Sequence, residues 1–299
     1  MRAMRAPAVA DALARGEPVV ALETTLICHG LPRPRNLDLA RAVEAAVREE
    51  GATPATIAVV DGAIRVGLDD ASLVRLAQAE GVAKCSPRDL PLVLARRGLG
   101  ATTVAGTIRL AAAHGIRVMA TGGIGGVHRG GETSLDVSAD LYELARSGVV
   151  VVCSGAKIVL DLARTLEVLE SLGVPVVGYG VDRFPAFYAR DGSLPVPRVD
   201  DLAALAEVVR AQAALGWPSG LVVANPPPAE LALPSDQLEA WIAAALAETR
   251  GRGVTGAKET PALLAALARA SGGRTVALNE ALVLENARLA ARLARALAG

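Results

Sequence analysis

Residues Gly148–Leu160 read G-V-V-V-V-C-S-G-A-K-I-V-L. Four consecutive valines and Cys153 form an uninterrupted apolar run, the pattern of a strand buried on both faces. Such strands belong to parallel sheets covered by helices, so this stretch decides the fold class. Ser154-Gly155-Ala156 ends the run. Lys157 then opens a segment with Ile158, Leu160, Leu162 and Leu166 that reads as a helix. A lysine is thus expected where a buried strand ends and a helix begins. The plain reading is a solvated first-turn lysine. The alternative follows from electrostatics: a helix N-terminus disfavours cations, and burial does the same, so an amine held there is pushed toward its neutral, nucleophilic form.

Outward from this strand, apolar runs alternate with helical periods along the chain. Strands are expected at Pro18–Thr25, Ile57–Val60, Arg117–Ala120, Val174–Tyr179 and Gly220–Ala224. Asp61-Gly62 is a tight turn into a second short strand, Ala63–Val66, making a hairpin. Asn36 is expected to cap a helix over Leu37–Glu50, and Ser138 one over Ala139–Arg146. Cys28–Asn36 and Gly253–Pro261 read as loops, Phe184–Val199 as irregular, and the last two segments as helices. The whole is one α/β domain over residues 1–299: three α/β/α layers around a largely parallel, mixed sheet.

The 299 residues carry 31 basic and 31 acidic side chains and only 2% aromatics. A balanced charge argues against a polymer-phosphate ligand, and scarce aromatics against single-stranded nucleic acid. Cys28, Cys85 and Cys153 are widely spaced, form no CxxC pair and fit free thiols in a reducing cytosol. There is no apolar leader and no uncharged apolar run of membrane-spanning length, so a cytoplasmic protein is expected.

Several side chains have chemistry to offer. The loop Thr121–Gly131 is rich in glycine, letting backbone N–H groups approach an anion, yet it matches neither the dinucleotide fingerprint nor the P-loop. His29 and His128 sit in loops after strands, whereas His114 reads as a helix C-terminal residue. Glu23, on an apolar strand, is either a salt-bridged core residue or a carboxyl whose pKa burial raises toward a general acid. Glu132, Asp136 and Asp140 form an acidic cluster with oxygen ligands suited to Mg²⁺ or Mn²⁺. Lys84 with Arg88 is a phosphate clamp or a solvated pair. Together these residues suit Schiff-base chemistry on a sugar phosphate without naming the substrate.

Five motifs sharpen this. A-L-E-T-T-L-I-C-H-G-L-P-x-P-x-N (from Ala21), K-C-S-P-R-D-L-P (from Lys84), G-A-T-T-V-A-x-T (from Gly100), A-T-G-G-I-G-G-V-H-R-G (from Ala120) and S-G-A-K-x-x-L-D-L-x-x-T (from Ser154) run in order along the chain. They resemble the pseudouridine-5′-phosphate glycosidase family, also called indigoidine-synthase-A-like. The resemblance implies a homotrimeric α/β/α enzyme requiring Mn²⁺. It would reversibly cleave the C–C glycosidic bond of pseudouridine 5′-phosphate to uracil and ribose 5-phosphate, in the direction of breakdown. Lys157 would be the nucleophile and Glu23 the proton donor. Lys84, Thr103, Val104, His128, Ser138, Ala139 and Asp140 would contact substrate, and Asp136 would anchor the metal through water. Thr24-Thr25 stands where Ser-Thr is common, and Glu285-Asn286 where paired asparagines are expected, so Asn279 and Asn286 both remain candidates for the base. A C–C bond has no leaving-atom lone pair to protonate, which makes an imine a better route than two carboxylates. A Schiff-base aldolase and a non-catalytic nucleotide-binding protein are the competing readings.

Overall fold

The computed structural model describes residues 3–190, 192–251 and 259–298. Its centre is a parallel run of strands in the spatial order Thr53–Val60, Val19–Leu22, Val118–Ala120, Val150–Cys153, Leu221–Ala224 and Val176–Tyr179. All four residues of Val150–Cys153 are buried, as the valine run requires, because Val118–Ala120 and Leu221–Ala224 flank it. The edge beyond Thr53–Val60 is mixed: Ala63–Val66 returns antiparallel across the Asp61-Gly62 turn, where both residues take positive φ (52° and 69°). That is the turn geometry a two-residue hairpin favours. Gly100–Thr102 also joins antiparallel and carries Ala83–Cys85 beside it. The sheet is therefore largely parallel with a mixed edge, flanked by helices.

The amphipathic helix Arg274–Ala298 packs across the strands Val19–Leu22, Val118–Ala120 and Val150–Cys153, between the helices Arg35–Glu49 and Leu202–Ala214. Its buried stripe includes Leu278, Leu282, Leu289 and Leu293, at the spacing that keeps one face of a helix on the sheet.

Four local expectations are corrected. The helix after the valine strand does not begin at Lys157 but at Leu162, capped by the Asp161 carboxylate accepting from Arg164 N. Lys157 lies in the loop before it, because Ser154, Gly155 and Lys157 pair through their backbones with the glycine loop. Asn36 is not a cap: the helix starts at Arg35, and the buried Asn36 amide donates to the carbonyls of Ile27 (2.9 Å) and Ala77 (3.0 Å). The stretch read as a loop from Cys28 begins inside a single π-turn, Leu26–Gly30. Of the loop expected over Gly253–Pro261, residues up to 258 lie outside those described, and Glu259 already starts the helix Glu259–Ala270.

Candidate active site

In a parallel sheet, side chains just past the C-terminal ends of adjacent strands converge on one crevice. Leu22 pairs with Ala120 and Ala120 with Val152, so Glu23, Thr121 and Cys153 follow at one level. Thr121 Oγ1 donates to Glu23 Oε1 at 2.5 Å. Beyond this level the chains stay zipped: Ser154 N donates to Gly122 O (2.8 Å), Ile124 N to Gly155 O (3.0 Å) and Lys157 N to Ile124 O (3.0 Å). Lys157 is thereby held on an extension of the sheet, and its Nζ donates to Gly123 O at 2.6 Å. Glu23 and Lys157 both line a cavity of about 610 Å³.

The other wall comes from the mixed edge. Lys84 stands on the short strand Ala83–Cys85, and Thr103 caps the helix Val104–Ala113, its hydroxyl accepting from Gly106 N (3.2 Å) and lying 3.2 Å from Ser86 Oγ. Asp140 joins the walls. Buried at 5% exposure, its carboxylate accepts from Ala105 N (2.8 Å) in the first turn of that helix and from Gly125 N (2.7 Å) in the glycine loop. Gly125 has to be glycine, since a Cβ would collide with Ser138 Oγ and Asp140 Oδ2. Lys84, Thr103, Val104, His128, Asp136, Ser138, Ala139, Asp140 and Asn279 all line the same cavity as Glu23 and Lys157.

Charge inside this space is unevenly distributed. Burial raises the Glu23 pKa above the ordinary carboxylate value, against the opposing pull of Lys157, the Thr121 hydrogen bond and Lys84. Burial, then the Lys157 charge, lowers the pKa of Lys84, with Asp140 and Glu23 opposing. His29, also on the wall, has its pKa lowered by burial and by Lys84, and its Nε2 is buried without a hydrogen-bond partner. His114 sits at a helix end, as expected, where its Nδ1 accepts from Arg5 Nε (3.1 Å). Below the site, burial pushes the Cys153 thiol up to about 12, leaving it protonated and unreactive.

Asp140 is committed to two backbone N–H groups, and the Glu132 side chain lies outside those described. Asp136 faces the cavity with its carboxylate 4.0 Å from His128 Nδ1, across the pairing of His128 N with Asp136 O (3.0 Å). Among the described residues no three His, Cys, Asp or Glu side chains come together as a metal cage. One half-exposed carboxylate beside an imidazole fits a hard cation that keeps most of its waters.

The structure also separates the two asparagines. Asn279 lines the cavity. Asn286, fully buried, donates to Thr121 O (2.9 Å) and Ser154 Oγ (3.1 Å) and accepts from Asn225 Nδ2 (3.0 Å), tying the two loops from behind. Asn286→Ala strands several buried partners at once and is expected to lower unfolding free energy by about 2–3 kcal/mol in urea titrations. An unchanged midpoint would show that these bonds are dispensable. Thr121, Ser86 and Phe187 are further cavity residues. Thr121 lies within a quoted motif, but Phe187 comes from a stretch with no periodic signal.

The family model described as Indigoidine synthase A like protein matches residues 8–296. The pseudouridine-5′-phosphate glycosidase of Rhodospirillum centenum (strain ATCC 51521 / SW) is 58% identical over 293 residues, covering 98% of this chain and 91% of that protein. The protein of the same name from Jannaschia sp. (strain CCS1) is 54% identical, with 97% of each covered. Among solved structures, the prealnumycin C-glycosynthase AlnA in complex with ribulose 5-phosphate superposes with a TM-score of 0.92 at 42% identity, covering 100% of this chain and 97% of that one. An indigoidine synthase A-like protein from Thermotoga maritima gives a TM-score of 0.89 at 37% identity, covering 95% and 94%.

Proposed function

We propose, from the premise that the chain belongs to the indigoidine synthase A-like family, that it cleaves and re-forms the C–C glycosidic bond of pseudouridine 5′-phosphate, giving uracil and ribose 5-phosphate. The observation that carries this reading is one cavity holding an amine, Lys157, and a partly buried carboxyl with a raised pKa, Glu23, past the ends of the two strands that flank Val118–Ala120. A C-glycosidic name on the relatives and a pentulose phosphate in a structural neighbour support the same substrate class.

Glu23 gives a proton to the ribose ring oxygen as its bond to C1′ breaks. Lys157 Nζ bonds to C1′ and its proton returns to the Glu23 carboxylate. Glu23 delivers that proton to uracil C5, and the nitrogen lone pair forms C1′=N⁺ as the C1′–C5 pair leaves with uracil. Water hydrolyses the iminium, freeing the amine and an aldehyde that closes to ribose 5-phosphate. The net change is addition of one water. Imine formation supplies the electron sink that protonating a carbon leaving group cannot. Lys84, with Thr103 and Ser86 beside it, would hold the phosphate end, and Ser138–Asp140 with Val104 and His128 the ribose. Asn279 would meet the base. Asp136, beside His128, would hold Mn²⁺ largely through water, where the ion supplies charge for the oxygens of the opened sugar. A homotrimer, a cytoplasmic location and net flux toward pseudouridine breakdown complete the reading.

The test is the reverse reaction. Uracil and ribose 5-phosphate, incubated with the protein and Mn²⁺, are expected to give pseudouridine 5′-phosphate by mass spectrometry and ultraviolet absorption. An aldolase or a binding protein forms none, and that result would overturn the proposal.

A further inference from the structure

Phe187 is buried, at 2% exposure, yet holds φ at +61°. Tyr188 N donates to Ala186 O at 2.7 Å, closing a three-residue turn centred on Phe187. A γ-turn with positive φ is rare and strained, the more so for a bulky residue. The surroundings enforce it: Ala186 and Ala189 exchange hydrogen bonds (3.1 and 3.3 Å), and Leu233 N donates to Tyr188 O (2.9 Å). The Phe187 ring packs on Tyr188 with centroids 4.5 Å apart.

What the strained turn holds is specific. A Cβ on Gly123 would lie 2.6 Å from Phe187 Cε2 and 2.7 Å from Cδ2, so the ring edge abuts the Gly123 backbone. The Pro185 carbonyl abuts Gly155 in the same way, allowing no Cβ there. One turn therefore leans on a glycine of each zipped loop. Gly123 O is the acceptor for Lys157 Nζ at 2.6 Å. A glycine peptide rotates easily unless something blocks it; here the Ile124 N–H to Gly155 O bond ties the same peptide unit, and an aromatic ring held in an unfavourable backbone conformation packs against its glycine. Strain retained beside a reactive group points to a function for it.

We infer that Phe187 is a positioning residue for Lys157: its ring fixes the Gly123 carbonyl, and that carbonyl aims the amine at the carbon it attacks. The inference rests on the reading of Lys157 as the nucleophile. Phe187 reaches the amine through Gly123 and also lines the cavity, so loss of alignment reads in kcat and loss of a substrate contact in KM.

The test compares Phe187→Ala, Phe187→Leu, Gly123→Ala and the double variant Phe187→Ala/Gly123→Ala. Readouts are kcat and KM for pseudouridine 5′-phosphate, the rate of borohydride trapping with ribose 5-phosphate, and the urea midpoint. Phe187→Ala is expected to lower kcat and trapping by roughly 10–100-fold, the scale of a misplacement near 1 Å, with KM held within about threefold. Gly123→Ala, driven into the ring, should lose comparably. The double variant should recover part of the loss, because the new methyl fills the space the ring vacated. Phe187→Leu provides the readout if Phe187→Ala does not fold. Folded Phe187 variants with wild-type kcat and trapping, a loss in KM alone, or strictly additive losses in the double variant would each overturn the inference while leaving Lys157 as nucleophile. A wild-type protein that traps no adduct would remove the reading of Lys157, and this inference with it.

Discussion

Lys157→Ala is expected to lower turnover by roughly 10⁴-fold or more, the scale of losing a covalent nucleophile, and to abolish the borohydride-trapped adduct with ribose 5-phosphate. The wild-type adduct should map by peptide mass to Lys157. The rival amine is Lys84 on the other wall of the same cavity, with its own pKa lowered by burial and by the Lys157 charge. It stands on the short strand Ala83–Cys85, off the loop extension that carries Lys157. An adduct on Lys84, or one surviving in Lys157→Ala, would assign the chemistry to the wrong lysine. Lys157→Arg separates charge from nucleophilicity: it keeps a cation but offers no lone pair, so it should be as inactive as Ala. Arginine activity near wild type would mean that the position works by charge alone. Lys157→Ala costs the Gly123 carbonyl one hydrogen bond, so its urea midpoint should move little beside the catalytic loss.

How much of this was legible in the sequence depends on what each feature rests on. The valine strand was legible because burial on both faces leaves a continuous apolar run, and the Asp61-Gly62 hairpin because positive φ selects residues. Glu23 was legible as a carboxylate on an apolar strand, and the direction of its pKa follows from burial. The helix expected at Lys157 failed for a physical reason. Ile158 and Leu160 are buried, but by the loop pairing with residues 122–128 rather than by a helical face. Apolar spacing reports burial, and only tertiary contacts say which element buries it. Spacing in the acidic cluster says as little about partners: Asp136 and Asp140 are close in sequence, yet the Asp140 carboxylate accepts from the backbone amides of Ala105 and Gly125 while Asp136 lies beside His128. Phe187 gave no signal at all, since a strained turn has no period.

Glu23→Gln is expected to lower turnover by about 10²–10⁴-fold, the range for loss of a positioned general acid. The substitution keeps the shape and an oxygen to accept from Thr121 Oγ1 but cannot give up a proton. In the wild type the acid form is the working one, so the rate should fall as pH rises through the raised Glu23 pKa, and the glutamine variant should lack that limb. Stability carries the same signature. Because burial raises the folded-state pKa above the ordinary 4.5, the folded protein holds a proton that the unfolded chain has released. Between those two values unfolding gives off that proton, so stability falls with increasing pH. The stabilising contribution is fully present below the unfolded pKa and is lost as pH passes through the folded one. Glutamine has no proton to lose, and its urea midpoint should stay flatter across that interval. Parallel wild-type and Glu23→Gln stability curves would mean that Glu23 is ionised in the fold, which would remove it as the acid. Flat rates in both proteins would place the proton delivered to the ring oxygen on another group of the cavity wall.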